Sequence, residues 1–286
     1  MSIQLNEGVH LHVLPTKKYK TIRIMLKFRA PLNKKTVTNR AMLANLLETN
    51  SKKYPTQTAL RSALSNMYGA SFGTGVSKKG NTHILSMSIN LVNEKYLSKG
   101  DNVLQESIDF LKEIIFQPNV TDGQFNDKTF KREKANLVDY YDSLFDDKQT
   151  YASLALQELF FENVDQQTPS VGSKEDLEEI SAASLYEYYQ DVLNHDKVDI
   201  YVLGDVDENE IRSAFEQFEF APRKVLKSSS FYNESAASKV ENKTEQQEIS
   251  QAKFNLGYTT AIFYHDPLYY AAQVFNGLFG GFPHSK

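Results

Sequence analysis

A chain of 286 residues with 41% hydrophobic, 24% charged and 12% aromatic side chains has the balance of a folded globular protein, long enough for one large domain or two ordinary ones. Its 32 basic and 36 acidic side chains leave a formal charge of −4, which offers no whole-chain field for a nucleic acid. With no cysteine there can be no disulfide, thiolate zinc site, iron–sulfur cluster or cysteine nucleophile.

The first residues, Met-Ser-Ile-Gln-Leu-Asn-Glu, lack the basic start and apolar core of a secretion signal. No apolar run reaches the length of a membrane span, so the expected location is cytoplasmic, away from any membrane. Two alternating stretches then predict strands: Val9, Leu11 and Val13, followed by Ile22, Ile24, Leu26 and Phe28. Ala41 to Leu47 is almost wholly apolar and suits a buried helix. After Pro55, a helix led by Thr56 places Leu60, Ala63, Leu64 and Met67 on one face. Beyond Gly69, Gly73 and Gly75, the alternation of Leu85, Met87, Ile89 and Leu91 predicts a half-buried strand.

Helical spacing returns in three successive segments, over Leu104–Ile115, Leu137–Phe145 and Leu154–Phe161, and again at Leu185, Tyr188 and Val192. Val198, Ile200 and Val202 predict a strand ending at Gly204, and Asp207 with Glu210 predicts a capping box before a helix carrying Ile211, Ala214, Phe215 and Phe218. Strands bracketing a helical block, without regular strand–helix alternation, imply an α+β fold: a largely antiparallel sheet with helices packed on one face. The expected domains are 1–220, a polar linker over 221–250, and over 251–286 the start of a truncated second domain. In that last part a strand at Lys253–Tyr258 precedes a helix through Tyr270, Val274 and Leu278. The aromatics there, Phe263, Tyr264, Tyr269, Tyr270, Phe275, Phe279 and Phe282, are expected mostly in a core.

Chemistry-bearing patterns are sparse. None of the six histidines (10, 12, 83, 195, 265 and 284) has another three or four residues away, as a helix-borne metal site requires. His10 and His12 point the same way on a strand and could share a metal, but an ordinary outer strand face accounts for them better. No Gly-x-Ser-x-Gly elbow or phosphate-binding loop occurs. Gly69-Ala-Ser-Phe-Gly-Thr-Gly75 leads into a strand and reads as a turn or bulge. Asp139, Asp142, Asp146 and Asp147 lack the glycine and terminal glutamate of a calcium loop and read as a solvated helix end.

Several segments, in order, resemble the pitrilysin/insulinase family of inverted-zinc-motif metallopeptidases. Leu5-Asn-Glu-Gly8 is similar to the family's opening strand, Ser51-Lys-Lys-Tyr-Pro55 to the stretch after its metal helix, and Gly69-Ala70 to the pair before its edge strand. The most specific run is Gly172-Ser-Lys-Glu-Asp-Leu177, then Leu185-Tyr-Glu-Tyr-Tyr189, then Val202-Leu-Gly-Asp-Val206. Phe279-Gly-Gly-Phe282 with Pro283-His-Ser-Lys286 resembles a segment of the family's second half.

The resemblance implies a two-half clamshell whose active members bind zinc through His-x-x-Glu-His and a downstream glutamate. Counting back from Pro55 puts Ala41, Ala44 and Asn45 on the first motif, and Glu133-Lys-Ala-Asn-Leu-Val-Asp-Tyr140 puts Tyr140 on the last ligand, with Glu133 and Asp139 on the same helix. Two alanines, an isolated carboxamide and a phenol supply neither a ligand set nor a base. The expectation is a pseudoenzyme without zinc, with no catalytic residue. The resemblance also implies a peptide-binding edge strand at Phe72, Gly73, Thr74, Gly75 and Val76, and a homologous peptidase subunit or second copy as partner. Two other readings are an active metallopeptidase with relocated ligands such as Glu48, His83 or Glu133, and a freestanding scaffold with no peptide groove.

Overall fold

A computed structural model describes residues 2–98, 101–224, 231–232, 239–248 and 250–281. The chain separates into two units, Met1–Tyr232 and Asn233–Lys286. The first unit opens with β1 (Ser2–Asn6), β2 (Val9–Pro15) and β3 (Thr21–Pro31), then α1 (Lys34–Thr49) and α2 (Gln57–Asn66). A hairpin follows, β4 (Ser71–Lys79) and β5 (Thr82–Val92), then α3 (Val103–Phe116) and a small ribbon of β6 (Val120–Thr121) and β7 (Gln124–Phe125). The helical block comprises α4 (Asp127–Asp146), α5 (Lys148–Phe160), α6 (Val164–Gln167), α7 (Lys174–Glu178) and α8 (Ala182–His195), and β8 (Lys197–Gly204) and α9 (Glu208–Glu216) complete the unit.

Six strands form one sheet in the order β1-β2-β8-β3-β5-β4. Its ladders are antiparallel except where β2 runs parallel to β8. That parallel pair joins residues nearly two hundred apart in sequence, so local alternation could not foretell it. The period-two pattern sorts the faces as expected: Val9, Leu11, Ile22, Ile24, Leu26, Phe28, Leu85, Met87 and Ile89 are all buried in one core. Helix α1 lies against β4 and β5, α3 against β5, and α9 against β2. The expected α+β architecture is therefore present.

Helix α1 is buried on most of its surface, from Val37 through Leu47, which explains its nearly continuous apolar sequence. A charged side chain in the middle of this helix, Arg40, is fully enclosed. Its guanidinium meets Asp196 at 2.7 Å and donates to the Phe28 carbonyl at 2.8 Å. Thr56 caps α2 through the Ala59 N–H as expected, and Asp207 caps α9 through the N–H groups of Asn209 and Glu210, a one-way cap in place of the expected reciprocal box. A reciprocal capping box forms at Ser181 and Ser184. After α9 the chain is tied back by Arg223, whose guanidinium donates to the Ala221 and Asp196 carbonyls.

In the second unit the described residues contain α10 (Tyr269–Asn276) and a π-helical turn at Gly277–Gly281, but no strand. Lys253–Tyr258, expected as a strand, has no ladder partner there. The aromatics expected in a core are corrected likewise: Phe263, Tyr264, Tyr270, Phe275 and Phe279 are exposed, because one short helix and a turn present no opposing layer. Phe282 and the Pro283–Lys286 segment lie outside the described residues.

Candidate functional site

The site is built on two helices and an edge strand. Asn50, just past α1, donates from Nδ2 to Thr129 Oγ1 on α4 at 2.8 Å. Toward the other end of α1, Thr38 Oγ1 accepts the Ser173 N–H at 3.3 Å, and the adjoining Val171 carbonyl accepts the Tyr141 hydroxyl at 2.6 Å. The start of α1 thus lies near the end of α4, and the two helices run antiparallel. Twelve residues separate Thr38 from Asn50 and Thr129 from Tyr141, so Ala41 is about level with Val138 and Asn45 with Lys134.

At the levels of the expected zinc motif, α1 presents two buried methyl groups, Ala41 and Ala44, and the half-buried Asn45. Tyr140 follows the rung of Ala41 on α4 but is 43% exposed, its ring packed on Tyr141. These side chains bring no imidazole and no carboxylate together, and they do not fit a zinc ion. Among the described residues no group of three or more His, Asp or Glu side chains is placed to hold a metal.

The other candidate ligands are already engaged. Glu133 is buried, bonded to Arg132 Nε at 2.7 Å and Asn136 Nδ2 at 3.0 Å. His83 is fully buried in β5 with Nε2 at 2.8 Å from the Ser170 carbonyl; burial, with Arg40 and Lys78 nearby, pushes its pKa down to about 4, so the ring is neutral at pH 7 and donates this bond. Glu48 Oε2 accepts the Thr74 N–H at 3.0 Å, while Oε1 lies 3.7 Å from Arg61 on α2.

His10 and His12 lie on the outer face of the sheet. His12 stacks on Tyr201 and reaches Asp199 at 3.3 Å, in a polar cluster with Arg29 and Lys197. Burial alone would raise the Asp199 pKa, but the Arg29 hydrogen bond, with Lys197 and His12, holds it below the usual carboxylate range. In the acidic run, Asp142 pairs with Lys174 and Asp147 caps α5.

The edge strand is β4. Among the described residues it ends the sheet, paired with β5 on one side only. Phe72 is buried and packs edge-on against Phe110 of α3. Thr74, two residues on, faces α1, and its hydroxyl donates to the Ala44 carbonyl at 2.8 Å. Because the Thr74 N–H points to Glu48, away from β5, the backbone groups of Phe72, Thr74 and Val76 form the outer edge. On the opposite sheet face, Gly73 and Gly75 have nothing within 4 Å of where a side chain would start. Residues 41, 44 and 48 share one face of α1, so the face expected to carry metal chemistry is the face that meets the edge strand. The role of Glu48 is missing from the sequence reading, whose only available signal is its position one turn beyond Ala44.

The segments that carried the resemblance are packing elements. Gly172 sits at φ +82°, and a Cβ there would lie 2.1 Å from Thr38 Oγ1. Ser173 caps α7, Leu177 and Leu185 are fully buried, and Tyr189 donates its hydroxyl to the Ile115 carbonyl at 2.6 Å.

Comparison with known proteins identifies the family. The family described as "Peptidase M16 inactive domain" matches residues 179–286. A Bacillus subtilis (strain 168) protein named "Probable inactive metalloprotease YmfF" is 36% identical over 281 residues, 98% of this chain and 66% of that protein. The crystal structure of a conserved protein from Enterococcus faecalis V583 superposes with a TM-score of 0.93 at 53% identity, over 100% of this chain and 67% of that one. The chain belongs to the M16 peptidase family. It is a homologue of M16 chains described as inactive, and it spans about two thirds of the length of these two relatives. A peptidase M16 inactive domain from Pseudomonas fluorescens, 14% identical, shares the fold with a TM-score of 0.64 over 80% of this chain and 52% of that one. Among the described residues no helix is long and apolar enough to cross a membrane.

Proposed function

We propose that this chain is a non-catalytic M16 subunit that holds an extended peptide along the outer edge of β4 and works beside a zinc-bearing homologous peptidase. The observation that carries the reading is a sheet edge unpaired by any strand among the described residues, beside a helix face whose expected metal donors are Ala41, Ala44 and Asn45. An unpaired edge strand offers alternating N–H and C=O groups to an incoming backbone. The reading assigns this chain no zinc and no hydrolytic step.

Val76→Pro removes an outward N–H without touching the ladder to β5, a position where proline is tolerated. Binding of a fluorescein-labelled extended peptide should weaken about tenfold in this variant, with the melting temperature little changed. Sedimentation of the chain with a zinc-bearing M16 peptidase should show association, and the partner's peptidase rate should change. The absence of both association and a rate change would contradict the subunit role, and equal peptide affinity in the proline variant would contradict the edge.

A further inference from the structure

The outer edge of β4 is not bare at its centre. The Glu48 carboxylate occupies the acceptor position at the Thr74 N–H, 3.0 Å away, and the same oxygen lies 3.0 Å from the Thr74 hydroxyl. A strand pairing with this edge must place one of its own carbonyl oxygens there, since outward N–H groups recur at every second residue and Thr74 lies between Phe72 and Val76. A carboxylate oxygen and a peptide carbonyl oxygen are the same kind of acceptor for that N–H, so they compete for it.

We propose that Glu48 is a displaceable cap on the peptide-binding edge: a ligand strand binds by expelling its carboxylate from Thr74. This rests on the reading of β4 as a peptide edge and adds a residue that regulates it. The surroundings favour expulsion. The Glu48 side chain is 31% exposed, and Arg61, itself half in solvent, lies 3.7 Å from its second oxygen, so a released carboxylate keeps a cationic neighbour and gains water. Thr74 also stays anchored, because its hydroxyl bonds the Ala44 carbonyl whether or not Glu48 is present. Strand β4 thus keeps its place on α1 while its outward N–H is freed. Peptide affinity is then the intrinsic affinity multiplied by the fraction of chains with the cap open.

The test uses the whole chain and a fluorescein-labelled peptide, Lys-Thr-Val-Thr-Val-Thr-Lys, with a twin N-methylated at every internal amide so that it cannot pair along either edge. Wild type should prefer the unmethylated peptide. Glu48→Ala should bind it about five- to tenfold tighter, and Glu48→Gln, which keeps an acceptor but loses the charge, should fall between. Amide exchange at Thr74 gives a second readout: slow in wild type, faster in Glu48→Ala, and slow again once peptide is bound. If the alanine variant does not fold, the glutamine variant and the exchange rate carry the test. Unchanged affinity in the Glu48 variants, with the preference over the methylated twin intact, overturns the cap and leaves the edge reading standing. Equal binding of both peptides, or binding of neither, removes the edge reading and the cap with it.

Discussion

Two regions of this chain match the same family and differ in what they retain. Between Gly172 and Val206, the residues that carry the likeness have mechanical tasks: Gly172 lets the backbone approach Thr38, Leu177 and Leu185 fill the core, and Tyr189 ties α8 to α3. On α1 and α4, the positions that the resemblance expects to carry metal chemistry hold Ala41, Ala44, Asn45 and Tyr140, while the two helices pack together. Packing positions are restrained by every neighbour they touch, whereas ligand positions are restrained only by the metal. A scaffold can therefore outlast its chemistry.

This contrast can be broken at specific residues. The largest effect is expected for Gly172→Ala, which meets both a positive φ and a backbone-rigid Thr38: a loss of about 3 kcal/mol and a melting temperature lower by roughly 8 °C by calorimetry. A change under 1 °C would show that the segment is slack.

His83 comes next. Its folded pKa of about 4 lies below the unfolded value, so the unfolded chain binds more protons between about pH 6.5 and 4. The contribution of the neutral ring is complete above that window and is lost as pH falls through it, by about 2–3 kcal/mol. Urea unfolding at pH 7 and pH 4.5 should show the loss, and His83→Gln should flatten that part of the profile. An unchanged slope in the variant would assign the acid sensitivity elsewhere.

The smallest effect is expected on the α1 face where the resemblance puts metal ligands. Asn45→Ala should change stability by less than about 0.5 kcal/mol, since a half-buried carboxamide at a helix position gains helix propensity when truncated. A cost above 1.5 kcal/mol by urea unfolding would reveal a packing task for this position as well.

Much of the fold was legible because burial wrote itself into local periods. The alternation in β2, β3, β5 and β8, the apolar run of α1 and the spacing in α2, α3, α8 and α9 each follow from one face meeting the core. The parallel pairing of β2 with β8 was not legible, because register between distant strands leaves no local mark. β1 escaped because its residues are only half buried, and α6 and α7 because four or five residues carry no helical period. Counting from Pro55 puts the expected metal positions on α1, and the structure adds that Ala41 and Ala44 are buried and Asn45 half buried there. That Glu48 reaches Thr74 across 26 residues depends on how α1 settles on β4, which the sequence alone does not express.

The central claim, that this M16 scaffold no longer assembles a zinc site, is tested most directly by metal content. The chain is stripped with chelator, re-equilibrated with excess zinc, desalted and assayed for zinc per chain. The account predicts well under one tenth of an equivalent and no cleavage of an unstructured peptide. One retained equivalent, together with chelator-sensitive cleavage, would contradict it.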